Sequence, residues 1–151
     1  RRERRGPAVV ATFTFFDEWK RYQATVANVD TDTFKLFLTN SAVNAGTNTV
    51  KADLSPISGA GGYAEKTLTT TWAETGAGTG VWRFSIGADQ TWTAAGAAFD
   101  AFRYVVMYDD TVAAPADPLV GYWDYGAPLT LNDTDSLTLN VDADFSAYTL
   151  T

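Results

Sequence analysis

The stretch that decides the fold is FRYVVMYDDTVAAPADPLVGYWDYG, residues 102–126. Two runs of β-branched and aromatic residues, 102–108 and 119–125, have the composition of packed, pleated strands. Between them, residues 109–118 combine adjacent aspartates with two prolines and small residues. Proline cannot donate to a strand ladder and aspartate favours turns, so this segment is predicted to be a loop. The whole stretch therefore predicts a long β-hairpin that anchors the core sheet.

The segment near the start of the chain has helical periodicity. Thr14 and Asp17 form a pair like a capping box, and apolar residues then recur at helical spacing from Phe16 to Val26. The pattern predicts an amphipathic helix over residues 14–27. Such a helix either docks on a partner or covers the sheet of its own domain, and the second interpretation is preferred because apolar stripes usually face their own core.

A strand and a long loop are predicted next. Residues 33–39 alternate in the manner of a strand with one buried face. Residues 40–62 are mostly small and polar, with one helical turn predicted near residues 50–54, and loops of this length often carry binding sites. The SGAGG run at residues 58–62 lacks the Lys and Ser/Thr of a phosphate-binding loop, so a flexible turn is the preferred interpretation.

The rest of the chain is predicted to form short strands separated by turns. Their positions are residues 63–72, 81–86, 90–93, 129–131, 137–141 and 147–150. About eight or nine strands with one helix predict a mainly β fold, a jelly-roll-like antiparallel β-sandwich with an N-terminal helix. No internal repeat divides the chain, so the predicted organisation is a basic N-terminal arm over residues 1–11 and a single β-sandwich domain over residues 12–151.

Charge is distributed unevenly between these two parts. The first five residues, RRERR, contain four arginines, whereas the chain after them holds 7 basic and 17 acidic residues, a net charge of −10. An acidic body is repelled by nucleic acid and anionic membranes, so neither is expected as a partner. The arm is either an ordinary solvated end or a segment that binds a neighbouring acidic surface. We prefer the second interpretation, which makes these candidate assembly contacts: Arg1, Arg2, Arg4 and Arg5.

Residues for catalysis are scarce. The chain has no histidine and no cysteine, which excludes a Ser-His-Asp triad, a thiol nucleophile and a zinc finger. Asp109 or Asp110 could pair with Asp124 as in a glycosidase, beside the aromatic run at residues 122–125. The preferred interpretation is that the first two form a turn and that Asp124 points outward from a strand. We therefore predict no enzyme activity, no catalytic residue and no cofactor.

Two acidic segments could supply carboxylate ligands for calcium. They are residues 132–135 and the Asp-Ala-Asp run at residues 142–144. Neither has the spaced ligands, the glycine and the terminal glutamate of a calcium-binding loop. No metal site is therefore predicted.

The order of several motifs resembles a known family. FRYVVMYDDT is followed by a small-residue loop and DPLVGYWDYG, and it is preceded by TFTFFDEWK, TDTFKLFLTNSA and DLSPISGAGGY. From about Thr12 onward, this order is similar to that of small virion structural proteins of tailed bacteriophages. The resemblance implies a capsid decoration, cement or head-fibre-like protein, most specifically on the outer surface of the virion. Its implied partners are the major capsid protein or other virion proteins, and copies of itself in a homo-oligomer, with a trimer expected.

The alternative function is a carbohydrate-binding β-sandwich or a tail accessory or adhesin protein. Tryptophan and tyrosine rings stack on sugar faces when they line an exposed groove. The positions of the five tryptophans decide between the two interpretations, since core tryptophans cannot bind sugar. They are Trp19, Trp72, Trp82, Trp92 and Trp123.

Overall fold

A computed structural model describes residues 12–141 and the backbone of residues 146–150. This part of the chain forms ten strands and one α-helix. In chain order they are β1 (Phe13–Phe15), α1 (Trp19–Thr25), β2 (Phe34–Thr39), β3 (Lys66–Thr67), β4 (Thr70–Glu74), β5 (Trp82–Ile86), β6 (Gln90–Thr93), β7 (Phe102–Asp109), β8 (Leu119–Leu129), β9 (Ser136–Leu139) and β10 (Ser146–Leu150). Short 3₁₀ turns occupy Lys51–Asp53 and Ala60–Gly62. No helix in the described residues is long and apolar enough to cross a membrane.

The strands form three antiparallel sheets. A central sheet has the order β1-β8-β7-β2-β3, and smaller sheets have the orders β10-β5-β4 and β6-β9. The mainly β, antiparallel, sandwich-like fold with one helix near the start of the domain is therefore confirmed. The predicted hairpin lies in the middle of the central sheet, where β7 pairs with β8 on one side and with β2 on the other.

The central sheet buries both of its faces, because its strands have apolar side chains at successive positions. On the inner face, Leu36 and Met107 join the main core with Phe84 of β5, Trp92 of β6 and the helix. The rings of Phe34 and Phe84 meet edge to face with centroids 4.9 Å apart, so β2 and β5 pack directly against each other across this core.

The outer face carries a second core under the long loop. Its buried residues are Phe16, Phe37, Leu54, Val106, Tyr108 and Leu119, with Val43 packed against them. Val43 and Leu54 belong to the loop between β2 and β3, so this loop covers the sheet. The predicted buried face of β2 is confirmed, and its other face is buried as well, since Phe37 is as buried as Leu36. The predicted helical turn near residues 50–54 is confirmed.

The predicted helix over residues 14–27 was wrong at its start. Phe13–Phe15 is a strand that pairs with β8, and the helix begins only at Trp19 after a Glu18 N-cap that makes no side-chain cap hydrogen bond. Phe13 lies opposite Trp123 and its ring covers Gly121. That long-range fit outweighs the local helical pattern.

Two other strand boundaries also differ from the prediction. The segment 63–72 is divided into β3 and β4, which belong to different sheets. In contrast, the short strand predicted at residues 129–131 is the end of β8, which continues through an irregular stretch where Phe102 pairs with Leu129 and Tyr104 with Asp124. Gly126 adopts a positive φ of 95° in this bulge, a conformation that few other residues tolerate.

Candidate assembly and binding surfaces

A polar network fastens the long loop to the central hairpin. The Lys51 Nζ lies 2.6 Å from the Glu65 Oε1 and donates to the Tyr108 hydroxyl at 3.1 Å. That hydroxyl donates to the Glu65 Oε2 at 2.5 Å. Burial and the neighbouring carboxylates raise the pKa of Tyr108 strongly, so it stays a neutral phenol and acts as a hydrogen-bond donor. The network therefore serves as a structural clamp at the edge of the outer core.

A second contact closes the outer face nearby. The Lys35 Nζ lies 2.7 Å from the Asp110 Oδ2, and this hydrogen bond is the main cause that raises the pKa of Lys35. Lys51 also donates its backbone N–H to the carbonyl of Asp117 at 2.9 Å. The loop of the central hairpin is thus tied to β2 and to the covering loop.

The interpretation of Asp109 as a turn residue was wrong, because it is the last residue of β7 and is buried on the opposite face from its neighbour Asp110. Strand alternation places it with Met107 on the inner face, where its side chain is 0% exposed. Its Oδ1 accepts the backbone N–H of Thr111 at 2.9 Å, while its Oδ2 is buried without a hydrogen-bond partner. Burial first, and then the Asp32 carboxyl group, raise the pKa of Asp109 to about 7.

Asp124 forms a bidentate ion pair with Arg103. The Arg103 Nε and Nη2 donate to its two carboxylate oxygens at 2.8 and 2.9 Å, and the backbone N–H of Gly126 donates to its Oδ1. The Arg103 hydrogen bond lowers the pKa of Asp124. This geometry agrees with the preferred interpretation of Asp124 as a half-exposed strand residue.

The structure does not bring the considered carboxylates together. Asp124 lies opposite Tyr104, five residues along β7 from Asp109. At about 3.3 Å per residue this is a separation of roughly 16 Å, whereas glycosidase carboxylates lie about 5–10 Å apart. Asp110 is one residue further away, at roughly 20 Å.

Most of the tryptophans belong to the core. Trp19, Trp92 and Trp123 are buried, with at most 4% of each side chain exposed. Trp72 and Trp82 stack on each other at the end of the β4–β5 hairpin, with ring centroids 5.9 Å apart and planes 25° apart. Only Trp82, at 41%, is an exposed tryptophan in the described part of the chain. The described tryptophans therefore form one platform and not a groove.

The acidic segments considered for calcium have structural contacts. Asp133 accepts the backbone N–H of Gly96 at 2.8 Å, and Asp135 accepts that of Asn132 at 2.9 Å. The first bond joins the turn before β9 to the segment after β6, and the second closes the turn itself. Within residues 12–141, no group of three or more acidic side chains is arranged to hold a metal ion. Residues 142–144 lie outside the described residues.

Most lysines and arginines of the described body form ion pairs with carboxylates of the same body. Residues 12–141 contain seven lysines and arginines and fifteen acidic residues. Five of those cations form ion pairs: Lys20 with Asp17, Arg21 with Glu18, Lys35 with Asp110, Lys51 with Glu65, and Arg103 with Asp124. Ten carboxylates remain outside these pairs, so the surface is strongly acidic. The predicted contacts Arg1, Arg2, Arg4 and Arg5 lie outside the described residues.

Comparisons with protein-family models, curated proteins and solved structures found no match to this chain. The resemblance to phage virion proteins therefore stays a prediction.

Sequence reasoning missed the Lys51–Glu65–Tyr108 clamp. Lys51 and Tyr108 are 57 positions apart, and no local pattern links two such residues. The one available signal was that Lys51 and Glu65 are two of only three charged residues, with Asp53, in a mostly small and polar segment. Charged residues isolated in such a loop are good candidates for anchoring it.

Proposed function

We propose that this chain is a non-enzymatic structural protein of a tailed-phage virion, most specifically a capsid decoration protein that binds neighbours through its basic arm. The observation that carries the proposal is the separation of charge. The body pairs five of its seven described cations internally and, because Asp109 is buried, leaves nine unpaired carboxylates at its surface for other contacts. An arginine-rich arm from a neighbouring copy supplies the complementary charge.

Arginine suits this role because its planar guanidinium forms two parallel hydrogen bonds with a carboxylate. The body itself shows this geometry in the Arg103–Asp124 pair. One exposed ion pair contributes only about 0–1 kcal/mol, so a single arm binds weakly. Many copies related by symmetry add their contributions, as the surface of a capsid allows.

The packing of the body also supports a structural role. Both faces of the central sheet are covered, and the long loop is held by charged hydrogen bonds. Such a body presents a fixed surface, which symmetric assembly needs because each contact must repeat with the same geometry. The large apolar side chains exposed in the described residues are Val26, Trp82 and Tyr125, too few to form a broad apolar interface.

The proposal is tested by removing the arm. The full chain, a variant lacking residues 1–5, and a variant with the four arm arginines replaced by glutamine are compared by analytical ultracentrifugation across a salt series. We expect self-association of the full chain at low salt, its loss in both variants, and unchanged thermal melting. Salt screens exposed charges, so association of the full chain should weaken as salt rises.

A matched control keeps the arm and removes a body cation. Lys20→Gln removes one exposed charge that is paired only with Asp17, three residues away on the same helix. This variant should associate like the full chain. Equal association of the arm-deleted and full chains would refute the arm as an assembly element. Absence of the chain from purified virions, measured by mass spectrometry, would refute the virion role separately.

The second candidate function is carbohydrate binding by the platform of Trp72 and Trp82. The supporting observation is the exposed Trp82 ring stacked on Trp72. Oligosaccharide titration should then change tryptophan fluorescence in the full chain but not in Trp82→Ala. Tyr125→Ala removes another exposed ring and is the matched control. No saturable change with a panel of hexose and amino-sugar oligomers would reject this function.

A further inference from the structure

Asp109 is the only charged side chain that is fully buried in the described part of the chain. Its Oδ1 accepts backbone N–H groups from Thr111 at 2.9 Å and Val112 at 3.4 Å. Its Oδ2 has no hydrogen-bond partner. A buried carboxylate with one oxygen unpaired is strongly unfavourable, so this position requires a physical explanation.

The pairing of β2 with β7 places the segment that contains Asp32 beside Asp109. Phe34 lies directly opposite Asp109 in the β2–β7 register, and the N–H of Asp110 donates to the carbonyl of Thr33 at 2.8 Å. The preceding residue, Asp32, accepts the backbone N–H of Asn28 at 2.7 Å through its Oδ2 and so closes the turn between α1 and β2. Asp32 is near enough to Asp109 to contribute to its raised pKa.

We propose that protonated Asp109 donates its O–H to Asp32, and that this hydrogen bond is a pH-sensitive latch that fastens the turn at residues 28–32 to the end of β7. Two ionised carboxylates have no donor between them, whereas one protonated carboxyl group donates its O–H to the other oxygen. The proton therefore satisfies the buried Oδ2. When the proton is released to solvent, two negative charges face each other and the latch weakens.

The elements around Asp109 bring no cation to it within the described residues. Lys35 and Asp110 form an ion pair on the outer face. Lys20 and Arg21 form ion pairs with Asp17 and Glu18 on the exposed side of the helix. Asp30 is exposed on the turn, and the charge of Asp117 contributes to the raised pKa values of Lys35 and Tyr108. Asp32 is the one charged group that contributes to the raised pKa of Asp109. Burial is the largest cause of that raised pKa, and Asp32 adds to it.

The direction of the pH effect follows from the raised pKa. An ordinary aspartate has a pKa of about 4, and that of Asp109 is raised to about 7 in the folded protein. The stabilisation of the fold by protonated Asp109 is fully present below the pKa that this group has in the unfolded chain. It is lost as the pH rises through the pKa that the group has in the folded protein. Between about pH 5 and 7, the unfolding equilibrium constant should rise by about tenfold per pH unit through this one proton.

The test uses denaturant unfolding of the full chain from about pH 5 to 8. Asp109→Asn replaces the carboxyl group with an amide of the same shape, which can donate to Asp32 without a proton from solvent. We expect this variant to lose the slope between pH 5 and 7. Asp110→Asn is the matched control, because this adjacent carboxylate pairs with Lys35 on the other face. It should keep the slope.

Two further measurements test the latch if Asp109→Asn does not fold. Asp32→Asn should also lose the slope, and the Asp109 carboxyl carbon of the wild type should titrate near pH 7 by NMR. An Asp109 titration below about pH 5, or an unchanged slope in Asp32→Asn, would overturn the latch. Stabilisation by millimolar Ca²⁺ at pH 8 that vanishes in Asp32→Asn would instead identify a cation site and also overturn it.

Discussion

The two faces of the central sheet are buried by different means. Regular strands and a helix cover the inner face, where mostly aromatic and aliphatic side chains pack together. An irregular loop covers the outer face, where Phe37 and Leu54 pack beneath a clamp made by Lys51, Glu65 and Tyr108. The adjacent residues Asp109 and Asp110 show the same contrast, since the first is buried inside and the second pairs with Lys35 outside.

The difference shows how a loop without regular structure can serve as part of a core. Strands satisfy their backbone groups in ladders and therefore need only apolar side chains to pack. A loop has few ladder bonds, so side-chain contacts must hold it in place. In this protein the long loop uses isolated β-bridges from Thr39 to Pro56 and from Val50 to Pro118, together with the Lys51 clamp.

The inner face should tolerate a charge least. Val105 is 7% exposed and belongs to the main core, so Val105→Asp buries a carboxylate without a partner. This change costs several kcal/mol and should prevent soluble folding, measured by soluble yield and thermal melting. Thr71→Asp adds the same charge at an exposed position of β4 and should fold. Cooperative melting of Val105→Asp at the wild-type temperature would contradict the assignment of this face.

β1 forms one edge of the central sheet and packs closely against β8 at Gly121. A Cβ at Gly121 would lie inside the Phe13 ring contact, with the ring Cε1 only 2.8 Å away. Gly121→Ala should therefore lower the free energy of unfolding by about 1–3 kcal/mol, measured by denaturant titration. Adding Phe13→Ala should relieve the clash, so the two losses should not be additive.

A glycine elsewhere in the chain provides the control for this clash. A Cβ on Gly59 would meet nothing within 4 Å, and its φ of −73° suits alanine. Gly59→Ala should leave the free energy of unfolding unchanged or slightly higher. Equal destabilisation by the two alanine substitutions would contradict the role of the Phe13 contact.

The clamp on the outer face should have a smaller and local effect. Lys51→Met keeps the apolar stem over the Phe37 and Tyr108 rings but removes the contact with Glu65. We expect a loss of about 1–2 kcal/mol, and faster amide hydrogen exchange at Leu54 than in the wild type. Lys20→Met breaks a fully exposed pair and should cost at most about 0.5 kcal/mol. Uniformly faster exchange throughout both cores would contradict a local clamp.

Asp53 should give the smallest effect and a clear pH signature. Its carboxylate accepts the backbone N–H groups of Thr49 and Val50, and these bonds lower its pKa. A lowered pKa means that this stabilisation is present at neutral pH and is lost as the pH falls through the folded value. Asp53→Asn should cost about 0.5–1 kcal/mol at pH 7, by denaturant titration. The difference from the wild type should shrink below about pH 4, and a constant difference would contradict the assignment.

The candidate surfaces were only partly predictable. The outward, structural role of Asp124 could be inferred from its position in a strand, but its Arg103 partner could not, because the two residues meet only through the β7–β8 pairing. The role of Trp82 was left open, since a strand pattern does not show where a sheet extends past its core. Burial of Asp109 had no local signal, because two neighbouring aspartates look alike in a turn.

The sequence by itself determined the mainly β fold, the central hairpin, most turns and the charge contrast between residues 1–5 and the body, because these depend on local composition and alternation. Only the tertiary structure decided that Phe13–Phe15 is a strand, that the long loop closes a second core, and that Asp109 is buried. Each of these depends on residues far apart in the chain. Their energies come from fit and burial, which exist only once the sheets have closed.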